Sequence, residues 1–426
     1  MADSYQASLD YLYSLQLFGI KLGLENISNL LQRLDNPQRK LRIIHIAGTN
    51  GKGSTAAALA NIFHAAGIKA GLYTSPHLHS FTERVRVNTR QIDEAEVVRL
   101  TDELRPHAEE LRTTFFEFTT ALALLHFRRC GCEWAILETG LGGRLDATNA
   151  VTPELCLVTP ISHDHNVYLG ETLAEVAGEK AGIFKWQVPV ISSRQLPAVQ
   201  QVLEARAKQL ESPLVQAGQD YDWWVAEGGF YFRGFGCEFG DLQPLLAGRH
   251  QQQNLALGLA AAIWLQQNGV PLTTAALKNG IEQTRWPGRL EWLPGRVLLD
   301  GAHNAAGAQV LAEYLEQQEL KSLHLIVGLK ADKQAEELLT PLLPFVGRLY
   351  ATRPPVDASI EPEKLVQLAE KSGILAATYD DAQAALSAAN EARSADQTLL
   401  VAGSLFLVAA LREELLPTTE LLSISA

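Results

Sequence analysis

Apolar and polar positions along this 426-residue chain follow two periods in turn, one typical of strands and one typical of helices. Short continuous apolar runs, which indicate strands buried on both faces, occur at 41–47, 69–74, 134–137, 154–159 and 188–192. Between these runs, apolar residues recur at helical spacing in segments 54–66, 93–112, 117–130 and 172–182. Strands alternating with helices of this length predict an α/β fold with a parallel sheet and helices on both faces.

The pattern changes twice further along the chain. Segment 213–243 is rich in aromatic residues that alternate with polar ones, which predicts a small antiparallel β insert. Two Pro-Gly pairs between Arg285 and Gly295 predict a linker, after which strand-like and helical patterns begin again. We therefore predict two domains, residues 1–290 and residues 296–426, each of ordinary size for an α/β unit.

Composition and charge narrow the classes of partner. The formal net charge is −12, so the chain as a whole does not attract nucleic acid or acidic membranes. The four cysteines form no CxxC pair, which favours free thiols in a reducing compartment. The N-terminus lacks the pattern of a signal peptide, and the longest apolar run is too short to span a bilayer. We expect a cytoplasmic protein.

A glycine-rich stretch, Gly48-Thr49-Asn50-Gly51-Lys52-Gly53-Ser54, joins the first predicted strand to a helix. Glycines there let backbone N–H groups point inward, and the helix N-terminus and Lys52 add positive charge, which suits phosphate. The match to the usual P-loop is imperfect, because Ile46 and Gly53 stand where that pattern has glycine and Ser or Thr. Glycines that serve turn geometry alone are the alternative interpretation.

Four further clusters follow predicted strands or lie at a helix end. Glu138 opens a glycine turn at 138–149, where a carboxylate could hold a phosphate-bound Mg²⁺ or merely cap the turn. The cluster at 162–165, Ser-His-Asp-His, suits metal ligands, a base or a hydrogen-bonded turn. Lys180, by itself, is typical of a solvated or ion-paired helix lysine, and the cluster at 300–304 is typical of a turn and helix cap.

Together these motifs resemble the folylpolyglutamate synthase/dihydrofolate synthase family of the Mur ligase superfamily. The turn at 75–78, the run at 83–87, Asn254 and Pro287-Gly288-Arg289 add to the resemblance, which extends from about residue 10 to the C-terminus. It implies a P-loop-containing Mur-ligase-like central domain with a small β insert over 1–290, and a C-terminal Rossmann-like glutamate-ligase domain over 296–426. The GTNGKG[ST] variant of the P-loop is the family's own.

The resemblance implies an ATP-dependent ligase that adds L-glutamate to dihydropteroate, to tetrahydrofolate (poly)glutamates, or to both, through an acyl phosphate. The implied cofactors are ATP and two Mg²⁺ ions, with an N6-carboxylysine at Lys180. The implied partners are dihydropteroate, reduced folates and L-glutamate, with no nucleic acid and no membrane, and we expect a monomer. The short motifs do not distinguish between these acceptors, so two alternatives remain: an enzyme with dihydrofolate synthase activity only, and one with folylpolyglutamate synthase activity only. The N-terminal segments favour the bifunctional type.

The same resemblance carries roles to individual positions. Those matched to catalysis are Lys52, Lys180 and His303. Those matched to ATP binding are Asn50, Gly51, Lys52, Gly53, Ser54, Asn254, Arg289 and Asp300. Those matched to the metal are Ser75, Glu138 and His165. Those matched to the pterin or folate site are Thr114, Phe115, Phe116, Glu117, Leu145, Asp146 and Ala147.

Three other classes compete with this interpretation. A cell-wall Mur ligase carries a UDP-sugar domain before the P-loop, and the 47 residues before Gly48 are too few for it. A different P-loop NTPase or kinase explains the loop but neither the motif at 179–185 nor that at 300–304. A nucleotide-binding structural protein that has lost catalysis is disfavoured, because the lysine, glutamate and histidine positions are intact.

Overall fold

The chain is organised around two large sheets and one small one. The computed structural model describes residues 2–19, 23–164 and 166–417. It divides into one unit of Met1–Leu245 and Gln251–Thr284, and a second unit of Leu246–His250 and Arg285–Ala426. Each unit holds its own mostly parallel sheet, and the first also carries a small antiparallel one.

The sheet of the first unit is the predicted parallel one, extended at one edge. Its strands among the described residues are β1 (Arg42–Ala47), β2 (Ala70–Tyr73), β3 (Val85–Val87), β4 (Arg90–Gln91), β5 (Trp134–Glu138), β6 (Leu155–Val158), β7 (Val190–Ser192) and β8 (Leu214–Gln216). They lie in the order β4-β3-β2-β5-β1-β6-β7-β8, and pairing is antiparallel at β2–β3 and β3–β4. No strand was predicted within 75–90; the alternation of Val85, Arg86 and Val87 is a short strand signal inside that polar stretch.

Helices cover both faces of this sheet. Phe63 packs on Trp134 with ring centroids 5.3 Å apart, whereas Phe127 lies 2.4 Å from where a Cβ on Gly71 would stand. Gly71 pairs with the residue after Trp134, so the two aromatic rings lie on opposite faces. The helices of the unit are α1 (Ala2–Ser14), α2 (Glu25–Arg33), α3 (Lys52–Ala65), α4 (Glu94–Leu111), α5 (Phe115–Arg129), α6 (Asn166–Leu169), α7 (Leu173–Ala181), α8 (Pro197–Gln209), α9 (Arg249–Gln267) and α10 (Thr274–Glu282).

The first strand of the predicted β insert, β8, pairs parallel with β7 in the large sheet, but most of the insert forms a sheet of its own. Its strands are β9 (Tyr221–Ala226), β10 (Gly229–Gly234) and β11 (Cys237–Leu242), paired antiparallel in the order β11-β10-β9. Gly228 has a φ of 107°, in the region that glycine favours, and it turns the chain between β9 and β10.

The second unit is built of alternating strands and helices around a mostly parallel sheet. Its strands are β12 (Glu291–Leu293), β13 (Val297–Leu299), β14 (Leu323–Val327), β15 (Val346–Ala351), β16 (Leu375–Thr378) and β17 (Leu399–Ala402), in the order β12-β13-β17-β14-β15-β16. Its helices are α11 (Ala305–Gln317), α12 (Ala335–Leu339), α13 (Pro362–Lys371), α14 (Ala382–Ala392) and α15 (Leu405–Leu415). The stretch predicted as a linker contains β12, which pairs antiparallel with β13 and is fixed by a 2.9 Å ion pair from buried Arg412 to Glu291.

Among the helices of the described residues, none has the length and apolar character needed to cross a membrane.

Candidate functional site

The glycine-rich loop follows β1 and opens α3, as the sequence predicted. Gly51 is the N-cap of α3 with a φ of 88°, and Gly48 approaches β6 so closely that an added Cβ would lie 1.8 Å from Thr159 Oγ1. Lys52, in the first turn of α3, donates from Nζ to the carbonyl oxygens of Gly48 and Thr49, each at 3.1 Å. The loop therefore combines a helix N-terminus with a lysine amine, an arrangement suited to phosphate.

A second lysine reaches the same loop. Lys180, on α7, is 4% exposed and donates from Nζ to the carbonyl oxygen of Gly48 at 2.8 Å. Burial and the nearby charge of Lys52 lower the pKa of Lys180 to about 7. The interpretation of Lys180 as a solvated helix lysine is therefore wrong, and two amines converge on one carbonyl group.

Two of the three predicted metal positions meet at the end of the sheet. Glu138 is the last residue of β5, is 4% exposed, and accepts a 3.0 Å hydrogen bond at Oε2 from the backbone N–H of Ser75. Parallel pairing sets Glu138 beside Ile46, two residues before Gly48. His165, the third position, lies outside the described residues. Within the described ranges, no group of three or more His, Cys, Asp and Glu side chains is arranged to hold a metal.

Asn254 lies next to Gly51 of the loop. It is 3% exposed on α9, its Nδ2 donates to Gln251 Oε1 at 3.1 Å, and its carbonyl oxygen accepts from Thr55 Oγ1 at 3.2 Å. A Cβ on Gly51 would lie 2.1 Å from Asn254 Oδ1. The fold therefore brings Asn254 into contact with the predicted nucleotide loop.

The segment predicted to line the pterin site begins α5. Thr114 and Glu117 form a capping box, in which Glu117 Oε2 accepts from Thr114 N at 2.7 Å and Thr114 Oγ1 accepts from Glu117 N at 3.3 Å. Phe115 and Phe116, in the first turn, are half-buried. Phe116 lies near Tyr73, with ring centroids 5.8 Å apart, and 2.5 Å from where a Cβ on Gly140 would stand. Glu117 therefore fixes the N-terminus of α5, and the half-buried rings of Phe115 and Phe116 form a rim at this helix end.

The second predicted pterin segment is held by Asp146. This carboxylate is 6% exposed and accepts hydrogen bonds from the N–H groups of Gly140, Leu141 and Thr148 and from Thr148 Oγ1. Burial raises its pKa, although these hydrogen bonds oppose the rise. Leu145 is half-buried and Ala147 is buried on either side. Because Gly140 contacts both Asp146 and Phe116, the fold brings the two predicted segments together.

The second unit gathers its own three predicted positions. Asp300 follows β13, is 6% exposed, and accepts from the N–H groups of Leu290 at 2.9 Å and Ala302 at 2.8 Å. Burial raises the pKa of Asp300 despite the opposing charge of Arg289. His303 bonds through Nδ1 to the carbonyl oxygen of Gly301 at 2.8 Å, so Nδ1 carries the proton.

Two contacts of the nucleotide loop were missed by sequence reasoning. Thr49 Oγ1 donates to the carbonyl oxygen of Ser162 at 2.9 Å and accepts from its N–H at 3.0 Å. Thr159 leaves no space for a side chain at position 48. No linear spacing connects these partners, because they lie on different strand ends and meet only in the sheet.

Comparison with known proteins identifies the family. Residues 46–262 match the Mur ligase middle domain, and residues 291–414 match the dihydrofolate synthetase C-terminal domain. The chain is 33% identical to the dihydrofolate synthase/folylpolyglutamate synthase of Bacillus subtilis, over 97% of this chain and 100% of that protein.

Solved structures agree with the sequence relatives. Folylpolyglutamate synthase from Mycobacterium tuberculosis, complexed with ADP, superposes with a TM-score of 0.90 at 30% identity, covering 96% of this chain and 99% of the other. The bifunctional enzyme from Yersinia pestis, complexed with AMPPNP and a Mn ion, gives a TM-score of 0.87 at 29% identity, covering 96% and 98%. This chain belongs to the dihydrofolate synthase/folylpolyglutamate synthase family, with a Mur ligase middle domain.

Proposed function

We infer that this chain is an ATP-dependent ligase that adds L-glutamate to dihydropteroate, to tetrahydrofolate (poly)glutamates, or to both, through an acyl phosphate. The convergence of Lys52 and Lys180 on the Gly48 carbonyl, at the mouth of a strand–loop–helix motif, is the observation that most supports it. The Lys52 amine and the N-terminus of α3, which meet at this loop, favour a polyanion such as ATP. The Mycobacterium relative binds ADP and the Yersinia relative binds AMPPNP with Mn, which agrees with this role.

The loop residues Asn50–Ser54 are assigned to the phosphates of ATP. Their backbone N–H groups and the N-terminus of α3 attract negative charge, and Lys52 offsets the charge that develops on the transferred phosphoryl group. Asn254 is assigned to the same nucleotide because of its contact with Gly51. In the second unit, Arg289 and Asp300 are assigned to ATP and His303 to catalysis, on the family resemblance.

We assign a separate role to each of the two domains. Residues 1–290 form the ATP-binding domain, and residues 296–426 form the glutamate-ligase domain. The acceptor is assigned to the rim formed by Phe115, Phe116 and the Asp146 loop, where aromatic rings lie next to backbone polar groups. A pterin ring suits that mixture because it is planar and rich in hydrogen-bonding groups.

The oxygen atoms of Ser75 and Glu138 fit a divalent cation. Mg²⁺ prefers oxygen ligands, and a buried carboxylate beside the nucleotide loop supplies one. His165 joins this set on the family resemblance alone. Two Mg²⁺ ions bound there would neutralise the charge of the phosphates.

Lys180 is assigned a carbamate. Its amine is buried against the loop, where burial and Lys52 both disfavour the ammonium form. A neutral amine can take up CO₂, and the resulting carbamate offers the oxygen atoms that Mg²⁺ prefers. Short carboxylates such as acetate should restore activity to a Lys180→Ala variant. Full activity of Lys180→Ala in CO₂-depleted buffer, without carboxylate, would rule the carbamate out.

A phosphate-release assay tests the function and its acceptor. Dihydropteroate and tetrahydrofolate are each offered with ATP, Mg²⁺ and L-glutamate, and each component is omitted in turn. We expect phosphate release only when acceptor and L-glutamate are both present, with both acceptors if the chain is bifunctional. ATP hydrolysis that needs neither acceptor nor glutamate would contradict the proposal.

A further inference from the structure

Arg84 occupies a rigid and buried position beside the candidate acceptor site. It ends a 3₁₀ turn, Phe81–Arg84, which Ser80 and Glu83 cap reciprocally. The carbonyl oxygen of Arg84 accepts from the N–H of Thr74 at 3.0 Å, just after β2, and the residue is 8% exposed. The backbone is therefore held on both sides, and the guanidinium is placed by the fold rather than by solvent.

The hydrogen bonds of this guanidinium are incomplete. Its Nε donates to His77 Nδ1 at 2.7 Å, which makes His77 a neutral acceptor. Within the part of the chain that the structure describes, no carboxylate lies within 4.0 Å of the Arg84 nitrogens and no other acceptor bonds them. The terminal N–H groups are thus left for another partner.

The surrounding charges do not offset the burial of this cation. Burial lowers the pKa of Arg84 and outweighs the nearby carboxylates Glu138 and Glu83, which favour the charged form. A buried charge without an ion pair is costly for a fold to keep, and residues of this kind cluster at functional sites.

Aromatic rings shape the space next to the guanidinium. The Arg84 Cζ atom lies 5.2 Å from the centroid of the Phe115 ring, in cation–π contact. Phe115 also stacks on Tyr13 at 5.9 Å and meets Phe81 edge to face at 6.4 Å. A planar aromatic acid could rest against such rings while its carboxylate meets the arginine.

We propose that Arg84 binds the carboxylate of the pteroate or folate acceptor and holds it toward Glu138 and the nucleotide loop. The inference rests on the proposed function, because that reaction requires a carboxylate to approach the phosphates of ATP. A carboxylate arriving there meets Glu138 and a triphosphate, which both repel it. One preorganised guanidinium offsets that repulsion and fixes the orientation of the acid through paired N–H···O bonds.

Kinetics of three variants test the assignment. Arg84→Gln should raise KM for the acceptor about 10- to 100-fold, the usual worth of hydrogen bonds to a charged group, and leave KM for ATP unchanged. Arg84→Lys keeps the charge and should recover part of the loss. Arg86→Gln is the matched control, because Arg86 is also buried, on β3, but its Nε donates to the carbonyl oxygen of Glu83 at 3.2 Å. It should lower stability without changing KM for the acceptor.

A binding cycle separates ligand recognition from a structural role. Dihydropteroate and its analogue lacking the carboxylate, the anilinomethyl dihydropterin, are titrated into wild type and Arg84→Gln by calorimetry. Wild type should bind the analogue at least tenfold more weakly, and Arg84→Gln should bind both ligands alike. Equal losses on removing the carboxylate from both proteins would overturn the inference.

The two proposals fail in different ways. Wild type that neither binds dihydropteroate nor releases phosphate with any folate would contradict the proposed function. Wild type that is active, with an Arg84→Gln variant of unchanged acceptor KM, would contradict only the role of Arg84. If Arg84→Gln does not fold, Arg84→Lys and the analogue on wild type carry the same comparison.

Discussion

Replacing Gly51 by alanine should damage both the nucleotide loop and its neighbour. Gly51 has a φ of 88°, and a Cβ there would lie 2.1 Å from Oδ1 and 2.6 Å from Cγ of Asn254. Gly67 provides a matched control at the other end of α3: it has a φ of 73°, and an added Cβ would find no heavy atom of the described residues beyond its chain neighbours within 4 Å. Both substitutions place alanine in the left-handed backbone region, but only Gly51→Ala also brings a Cβ into collision with Asn254.

The expected magnitudes follow from these two terms. A non-glycine residue in the left-handed region lowers the free energy of unfolding by about 1–2 kcal/mol, and this applies to both variants. Gly51→Ala must also displace the buried Asn254 amide and its 3.1 Å bond to Gln251, which adds about 1 kcal/mol. We therefore expect a loss of about 2–3 kcal/mol for Gly51→Ala and about 1–2 kcal/mol for Gly67→Ala.

Urea unfolding and calorimetry measure the two consequences separately. Unfolding without ligand gives the stability difference, and titration with ADP and Mg²⁺ gives nucleotide affinity. Gly51→Ala should weaken ADP binding about tenfold or more, since displacement of Asn254 disturbs a proposed ATP contact, and Gly67→Ala should leave it unchanged. Equal stability and equal ADP affinity in the two variants would refute the reasoning.

Three further predictions concern single side chains. Lys52→Ala should reduce the rate of phosphate release about 100-fold or more while the fold stays intact, because one positive charge beside a transferring phosphoryl group stabilises the transition state by several kcal/mol. Near wild-type rates would contradict the phosphate assignment. Burial lowers the pKa of His45 to about 3, so the unfolded chain binds more protons below its ordinary value of 6.5. Between pH 6.5 and about 3, stability should therefore decrease as the pH is lowered, by up to about 1.4 kcal/mol per pH unit, and less steeply in His45→Thr. Equal slopes of the two proteins in urea unfolding at several pH values would contradict this. Asp146→Asn should lower the free energy of unfolding by about 1–3 kcal/mol, because the four hydrogen bonds that Asp146 accepts organise the Gly140 turn. It should also raise KM for the acceptor but not for ATP. An unchanged KM for the acceptor would count against that role.

The sheets were predictable because their strands are continuous apolar runs. Strands such as β1 and β5 are buried on both faces over most of their length, so apolar residues occupy most of their positions. Strands β3 and β12 were missed because each has three residues and carries polar side chains. A short strand of that kind is specified by the neighbour that it pairs with, which local sequence does not contain.

The site was predictable only as far as single motifs reach. The loop at 48–54 and Glu138 are visible because strand ends and glycine turns mark them. The hydrogen bond from Lys180 to Gly48 joins residues 132 positions apart, and α7 must pack onto the sheet before it exists. Arg84 gives no signal by itself, because an arginine in a polar stretch is normally solvated, and its burial is a product of the fold.

Oxygen transfer from acceptor to phosphate tests the central claim most directly. Dihydropteroate labelled with ¹⁸O in its carboxylate is incubated with the enzyme, ATP, Mg²⁺ and L-glutamate, and the released phosphate is examined by mass spectrometry. Phosphorylation of the carboxylate followed by attack of the glutamate amine moves one labelled oxygen into each phosphate. We expect one ¹⁸O in the phosphate for every amide bond formed. Unlabelled phosphate alongside amide formation would contradict an acyl-phosphate ligase.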